Sequence, residues 1–430
     1  MTQGAQTGAD PSPAGRIVAL DLLRGVAILG ILAINVAGFA GPIMATISPN
    51  LPVPATPADE AWFALFLVLF EGKMRALFSI LFGASLLLFI DRADDAGRNG
   101  EVLQMRRLGW LALAGYLHFL LLWWGDILFT YALAGFSALA FRSAPPKGLA
   151  IGALTLFAAW HLFMSGVGVS ESLRENQVLS GHAAPDEVRR YTVQQAKVAG
   201  RTDAEMLGYH LGFTAQIAQK LQEEPAEPLL AAIGTIGESL PLMLLGMALY
   251  RLGFFSGQWS PRRLRRLAWI TLALGTALTL AFLALAWPRH FPPVLMMMAI
   301  AYGLAIPHLL MAIGYAALLI PAAPRLAASR AGQLVVAAGR MAFTNYIATT
   351  IVMTFVFYGW GLDLFGTVPP RWQWPFVLGG WTLMLGWSAP WLARYRQGPL
   401  EWAWRSLTQW ERLPFRRLSL SRTGSSVNAA

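Results

Sequence analysis

The stretch that decides the reading is RIVALDLLRGVAILGILAINVAGFA, residues 16–40. As a helix it is long and apolar enough to cross a hydrocarbon core of about 30 Å. It nevertheless carries Asp21, Arg24 and Asn35 in its interior. With Ile28 and Ile31 these residues step by three or four, which keeps them near one stripe. The polar members cover about 21 Å of helix. Ionisable side chains inside a span are costly, and such residues face a cavity or a partner. Asp21 and Arg24, at i and i+3, can partly neutralise one another. Two readings stay open: an ion pair that locks this helix to its neighbours, and a place where a ligand binds.

Working outward, the same oiliness repeats. Hydrophobic residues make up 56% of the 430, charged residues only 13%, about half the charge of an ordinary soluble domain. Ten apolar runs follow one another, at 17–40, 60–90, 107–124, 127–142, 148–168, 229–252, 266–287, 295–320, 333–358 and 375–393. The predicted fold is therefore all-α, a polytopic transmembrane helix bundle of about ten spans. EGKMR interrupts the second run, which reads as a broken helix or two segments. WWGD between the third and fourth permits only a tight hairpin. The first run is too long for a signal-peptide core and is expected to stay as an uncleaved span.

The net charge of +10 sits in the short loops rather than in a basic domain, which argues against nucleic acid as a partner. With the N-terminus inside, 21 Lys and Arg fall in inside segments and the tail, against 2 in the short outside loops. The positive-inside rule then places both termini in the cytoplasm. Five units follow: a disordered tail 1–15, a five-span half 16–168, an extracytoplasmic helical segment 169–228, a second five-span half 229–395, and a basic cytoplasmic tail 396–430. Two five-span halves entering from opposite faces have the topology of an inverted repeat. In the outside segment, TDAEMLGYHLGF offers Thr202 as an N-cap with Glu205 three residues on, and a second short helix is expected near Asp186. Phe213, Ile217 and Leu221 recur at helical spacing. The segment reads as a helical cap over the bundle's outer mouth.

The buried polar residues are the candidate site. In FEGKMRALFSILFG, Glu71 and Arg75 are i, i+4 partners while Lys73 points elsewhere. His118 lies deep in an apolar helix with Asp126 in the hairpin just beyond. Imidazole titrates near neutrality and can act as a general base on a hydroxyl or amine. Glu238 precedes Pro241, which is expected to open its helix. In GRMAFTNY, Arg340 and Thr344 are placed on one face, and with Asn345 and Tyr346 they could receive a carboxylate or phosphate. His308 is a further buried polar residue; His161, His182 and His210 read as incidental. The chain has no cysteine, so disulfides and thiolate chemistry are excluded. It carries no phosphate loop, dinucleotide fingerprint, zinc-protease motif or serine-hydrolase elbow. The scattered histidines lack the spacing of a metal site, and RRLRR at 262–266 reads as an anchor on anionic lipid.

Several segments together resemble a known family: RIVALDLLRGVAILGILAIN, LFSILFGASL, WWGDILFTYALAG, ESLPLMLLGMALY, GRMAFTNYI and GPLEWAWRSLT. They resemble the YeiB-like proteins, domain of unknown function 418, over nearly the whole chain after residue 15. The resemblance implies the bacterial inner membrane. The first-span motif also resembles the opening of two membrane acyltransferase groups, the acyltransferase-three type and the heparan glucosaminide acetyltransferase type. These move an acyl group from a cytoplasmic donor, commonly acyl-CoA, to a small-molecule or glycan acceptor. In the acyltransferase-three pattern a histidine stands where this chain has Asn35; an amide cannot act as a base, so that role does not carry over. His118 is then the base candidate on chemical grounds, with Asp126 or Glu238 orienting the base or the acceptor. Arg106, Arg107 or Arg340 would receive donor phosphates. Asp21 and Arg24 would organise the cytoplasmic end of a donor tunnel. A transporter of a small metabolite, its buried charges handling solute or protons, is the alternative. A non-catalytic lipid-binding protein on the same fold is the third.

Overall fold

The computed structural model describes residues 18–417. The predicted tail 1–15 and the part of the basic tail from residue 418 lie outside the described residues. Sixteen α-helices run in chain order and no strand is present among the described residues. They are α1 Val18–Ala40, α2 Pro57–Leu69, α3 Lys73–Asp95, α4 Gly100–Leu121, α5 Leu128–Leu139, α6 Pro146–Leu179, α7 Pro185–Tyr209 and α8 Phe213–Glu223. The second half holds α9 Glu227–Arg251, α10 Pro261–Ala286, α11 Pro293–Met298, α12 Ala305–Ala328, α13 Arg330–Arg340, α14 Ala342–Phe357, α15 Trp374–Arg394 and α16 Pro399–Gln409.

All ten predicted segments are helical. Among the described residues, six helices are long and apolar enough to cross a membrane, or seven if the bent pair α13–α14 counts as one span. The predicted spans 107–124 and 375–393 become α4 and α15, which are long but not among those six. The 127–142 run becomes α5, only 12 residues or about 18 Å of helix. The chain is a helical membrane protein with about six spans of full length and apolarity, and shorter or more polar helices packed among them.

Local chemistry sets the helix starts. Thr56 and Asp59 form a reciprocal capping box ahead of α2, with Pro57 at its first position; side-chain caps of this kind satisfy amides that a helix cannot pair internally. Ser260 and Ser329 cap α10 and α13. The second predicted run is indeed broken: α2 ends at Leu69 and α3 begins at Lys73, with Gly72 at φ +70°. Helix α9, by contrast, runs unbroken through Pro241. The expected opening does not occur because the helix tolerates the one missing N–H where neighbours pack around it.

Two further expectations are corrected. Thr202 is no cap: it lies inside α7, its hydroxyl donating to the Val198 carbonyl four residues back at 2.9 Å. Helix α6 is continuous for 34 residues to Leu179, so the predicted fifth span and the start of the predicted outside segment are one rod. Arg340 and Thr344 do not share a face, because α13 and α14 meet at an 85° bend.

A helix begins near Asp186 as expected, with Pro185 opening it, but α7 is 25 residues long rather than short; with α8 it forms the cap. It is tied down at several points. Glu175 at the end of α6 accepts the first amides of α11 from Val294 and Leu295 at 3.0 and 2.8 Å. Glu205 of α7 accepts the Ile43 amide at 3.0 Å, His210 pairs with Asp363, and Lys220 of α8 donates to the Phe119 carbonyl at 2.9 Å.

Within the bundle, backbones approach closely where glycine removes the side chain. A Cβ on Gly246 of α9 would lie 1.9 Å from the Ile80 carbonyl of α3, and one on Gly83 of α3 would lie 2.0 Å from the Met243 carbonyl. Small residues at helix crossings are how apolar helices pack tightly in lipid.

Two predictions follow from this packing. Gly246→Ala should lower the thermal midpoint in detergent, at an overpacking cost of about 1–3 kcal/mol. Gly234→Ala on the same helix, where a Cβ meets nothing within 4 Å, should not; equal midpoints would refute the close crossing. For the cap, burial raises the Glu205 carboxyl from 4.5 to about 7, so the docked form holds its proton more tightly than the free one. Docking should then strengthen as pH falls from about 7 toward 4.5 and show no further dependence on this group outside that window. Hydrogen exchange over 185–223 should report this dependence, and Glu205→Gln should flatten it.

Candidate functional site

The sequence stripe on α1 leads into a cavity. Arg24, Ile28 and Ile31 line a space of about 250 Å³ at the end of the bundle where α1 begins and α3 ends. Its charged lining is five arginines, Arg24, Arg92, Arg107, Arg340 and Arg405, and one acid, Glu401. Arg24 donates to Asp21 at 3.3 Å and to the Ser85 hydroxyl. The Arg107 guanidinium lies 4.2 Å from the Trp404 ring centre and 4.7 Å from that of Phe89. Its Nε is buried and has no hydrogen-bond partner, a costly state for a polar group. Arg340 donates to the Arg396 carbonyl at 3.2 Å. Glu401 accepts the first amides of α14, from Phe343 at 2.9 Å and Thr344 at 3.1 Å, and the Thr344 hydroxyl. The segments GRMAFTNY and GPLEWAW, far apart in sequence, therefore meet at this cavity.

The inner wall of the cavity is Ile127, Leu128, Tyr131 and Tyr346. Behind it stands His118, 2% exposed, with its ring centre 5.0 Å from that of Tyr346. The helix hairpin brings Asp126 back: Asp126 Oδ1 lies 2.9 Å from His118 Nδ1. The second carboxylate oxygen accepts the Phe129 amide at 2.8 Å. A carboxylate can only accept, so this geometry assigns the imidazole proton to Nδ1 and leaves a lone pair on Nε2. The Thr350 hydroxyl sits 3.1 Å from that Nε2 and 3.0 Å from the Tyr346 carbonyl, two acceptors for its one proton. A carboxylate and an imidazole oriented by it, with a lone pair on the second nitrogen, form a general-base arrangement.

A second polar centre lies deeper along α3. Arg75 Nε pairs with Glu238 of α9 at 3.1 Å, and its Nη1 lies 3.9 Å from Glu71. Glu238, expected near the base, is taken up by this ion pair instead. Lys73 is fully buried and donates to the Leu67 carbonyl at 2.6 Å. His308 packs on Gly72, where a Cβ would meet its ring, and its Nε2 is buried without a partner.

The sequence candidates thus divide. Arg24, Arg107 and Arg340 line the basic cavity, with Asp21 beside Arg24; His118 and Asp126 adjoin it. Glu71, Lys73, Arg75 and Glu238 gather elsewhere. Arg106 is exposed and lies 5.1 Å from the Trp410 ring, outside the cavity's lining. Asn35 continues the α1 stripe one turn past Ile31 and is half-buried. Asn345 spends its amide inside the bundle, on Ala338, Ser388 and Trp387. Sequence reasoning treated Arg92 and Arg405 only as topology markers and did not single out Tyr131, Thr350 or Glu401. The one available signal was the pairing of two distinctive segments that contain Arg340 and Glu401. Among the described residues no group of three metal-ligating side chains comes together.

The profile of the family described as protein of unknown function (DUF418) matches residues 249–411. The uncharacterized protein YeiB of Escherichia coli is 33% identical over 406 residues, covering 91% of this chain and 96% of the relative. The uncharacterized protein YxaH of Bacillus subtilis is 30% identical over 419 residues, with 91% and 94% covered. An uncharacterized 39.9 kDa protein of Bacillus acidopullulyticus is 26% identical, with 93% and 95% covered. No solved structure matches the chain. With relatives at 33% and 30% identity over about nine-tenths of its length and the DUF418 profile over 249–411, the chain belongs to the YeiB-like DUF418 family.

Proposed function

We propose that this protein is an acyltransferase of the bacterial inner membrane, taking an acyl thioester with a phosphate-bearing carrier from the cytoplasm and passing the acyl group to an acceptor at the membrane. Both termini lie in the cytoplasm in this reading, in line with the 21-to-2 distribution of basic residues. The observation that carries it is the cavity with five arginines in its lining and, behind its inner wall, His118 against Tyr346. Arginine suits phosphate recognition through its planar fork of donors, and the unspent Arg107 Nε is such a donor. Acyl-CoA is the donor class this chemistry fits.

The step follows from the His118 geometry. The acceptor hydroxyl or amine replaces Thr350 at Nε2 and loses its proton there as its oxygen or nitrogen bonds to the acyl carbon. The carbon–sulfur bond then breaks, and the proton passes from His118 to the departing thiolate. Asp126 holds the Nδ1–H throughout and steadies the transient imidazolium. Arg24, Arg107, Arg340 and Arg405 hold the carrier; Arg106 and Asn345 have no part, one lying away from the cavity and the other consumed by packing.

A transporter is the second reading, favoured by a separate cavity at the opposite end of α1. A solute carrier would work without His118, whereas an enzyme would not.

Two predictions separate them. His118→Ala should lower release of coenzyme A from acetyl-CoA, assayed with membrane extract as the source of acceptor, by about 10²–10⁴-fold while leaving the folded yield intact; retained release would sink the base assignment. Arg107→Ala and Arg405→Ala should weaken coenzyme A binding in nanodiscs and reduce its dependence on salt, the mark of lost phosphate contacts. Binding that does not change would remove the basic cavity from the account.

A further inference from the structure

The cavity at the opposite end of the bundle has its own chemistry. It encloses about 390 Å³ between the C-terminal half of α1, α2, the loop from Gly41 to Thr56 and the loop from Gly366 to Arg371. Trp62, Phe63, Phe66 and the prolines of the first loop make it mostly apolar. Its volume falls within the range of ordinary small-molecule sites.

Nearly all polar side chains along its wall are already engaged. Thr46 donates to the Ile43 carbonyl, Thr367 to that of Leu364, and Gln373 to that of Val368. At the rim Arg371 is held by Asp59 at 2.6 Å and by Thr56 at 3.1 Å. Glu71 is the exception. Its side chain is 15% exposed and it lines this cavity; its ion-pair contact is with Arg75 Nη1 at 3.9 Å, too long for a hydrogen bond, and the Lys73 ammonium acts on it only through space. That guanidinium is already bound through Nε to Glu238 at 3.1 Å. One arginine therefore serves two carboxylates. Lys73, two residues on, gives its ammonium to the Leu67 carbonyl and is not part of the cavity's lining. A carboxylate at the foot of an apolar pocket, short of hydrogen bonds, is costly unless a donor joins it. A charged donor forms the stronger bond.

We infer that this outer cavity is a binding site for an amphipathic cation, a primary ammonium head seated on Glu71 with its apolar body against Trp62, Phe63 and Phe66. The site is separate from the basic cavity and does not depend on what that cavity does. On α1 it uses Ala33, Val36, Ala37 and Ala40, whereas the basic cavity uses Arg24, Ile28 and Ile31.

The probe is n-decylammonium, with 1-decanol and decanoate as chain-matched controls, added to the full-length protein in nanodiscs. Binding is read as the change in tryptophan fluorescence that is lost in Trp62→Phe. The ammonium should bind at least tenfold tighter than either control. Glu71→Gln should abolish that preference, Glu71→Asp should keep it, and Ala37→Leu, which fills the cavity, should weaken all three probes. If Glu71→Gln does not fold, the order of the three probes on the unaltered protein still decides. Equal affinity for ammonium and alcohol, no Trp62-dependent signal, or an unchanged preference in folded Glu71→Gln would each overturn the assignment.

Discussion

Arg75 is the constraint on which the rest of the bundle depends. A guanidinium cannot be left bare among apolar helices, and the long spans α3 and α9 come together with Glu238 opposite it at 3.1 Å. The glycines at 83 and 246, two to three turns along the same helix pair, let the two backbones close to contact. The Arg75 side chain is 35% exposed and that of Glu238 13%, so the pair is partly buried, and removing one partner leaves the other charge without its counter-ion inside the bundle. The pair therefore fixes which helices are neighbours.

The two cavities differ in charge because different parts of the chain close them. At one end the last helix, α16, folds back so that Trp404 covers Arg107 and Glu401 caps the bent start of α14. A segment whose composition reads as a basic tail becomes a wall of the site and brings Arg405 to it. At the other end the wall is Pro-rich loop and aromatic helix, and its acid, Glu71, is half-claimed by Arg75. Between them stands His118, its tautomer set by Asp126.

Much of this was legible in the sequence, for a physical reason: in apolar spans every polar residue stands out. The break at EGKMR, the WWGD hairpin, the Asp21–Arg24 pair and the candidacy of His118 all came from that contrast. What failed were contacts across long separations. Arg75 and Glu238 lie 163 residues apart, so a local reading found the Arg75–Glu71 pair, which stands at 3.9 Å, but missed the closer Arg75–Glu238 pair and assigned Glu238 to the base. Thr202 looked like a cap because its spacing to Glu205 fits one, but helix propensity on both sides carried α7 straight through. The face shared by Arg340 and Thr344 was lost at the 85° bend around Met341, which a local reading of GRMAFTNY runs through as one helix. Among the described residues six helices, or seven with the bent pair, have the length and apolarity of a full span, because a 12-residue helix such as α5 is apolar without being long enough to cross alone.

The account stands on a carrier lying in the basic cavity with its reactive carbon beside His118. The most direct measurement is a cryo-EM structure of the protein in nanodiscs with a non-hydrolysable acyl-CoA analogue. Phosphate density among Arg24, Arg107 and Arg405, with the acyl carbonyl reaching past Tyr346 to the Nε2 of His118, is the predicted result. An analogue bound elsewhere, or a basic cavity that stays empty at saturating concentration, would contradict it.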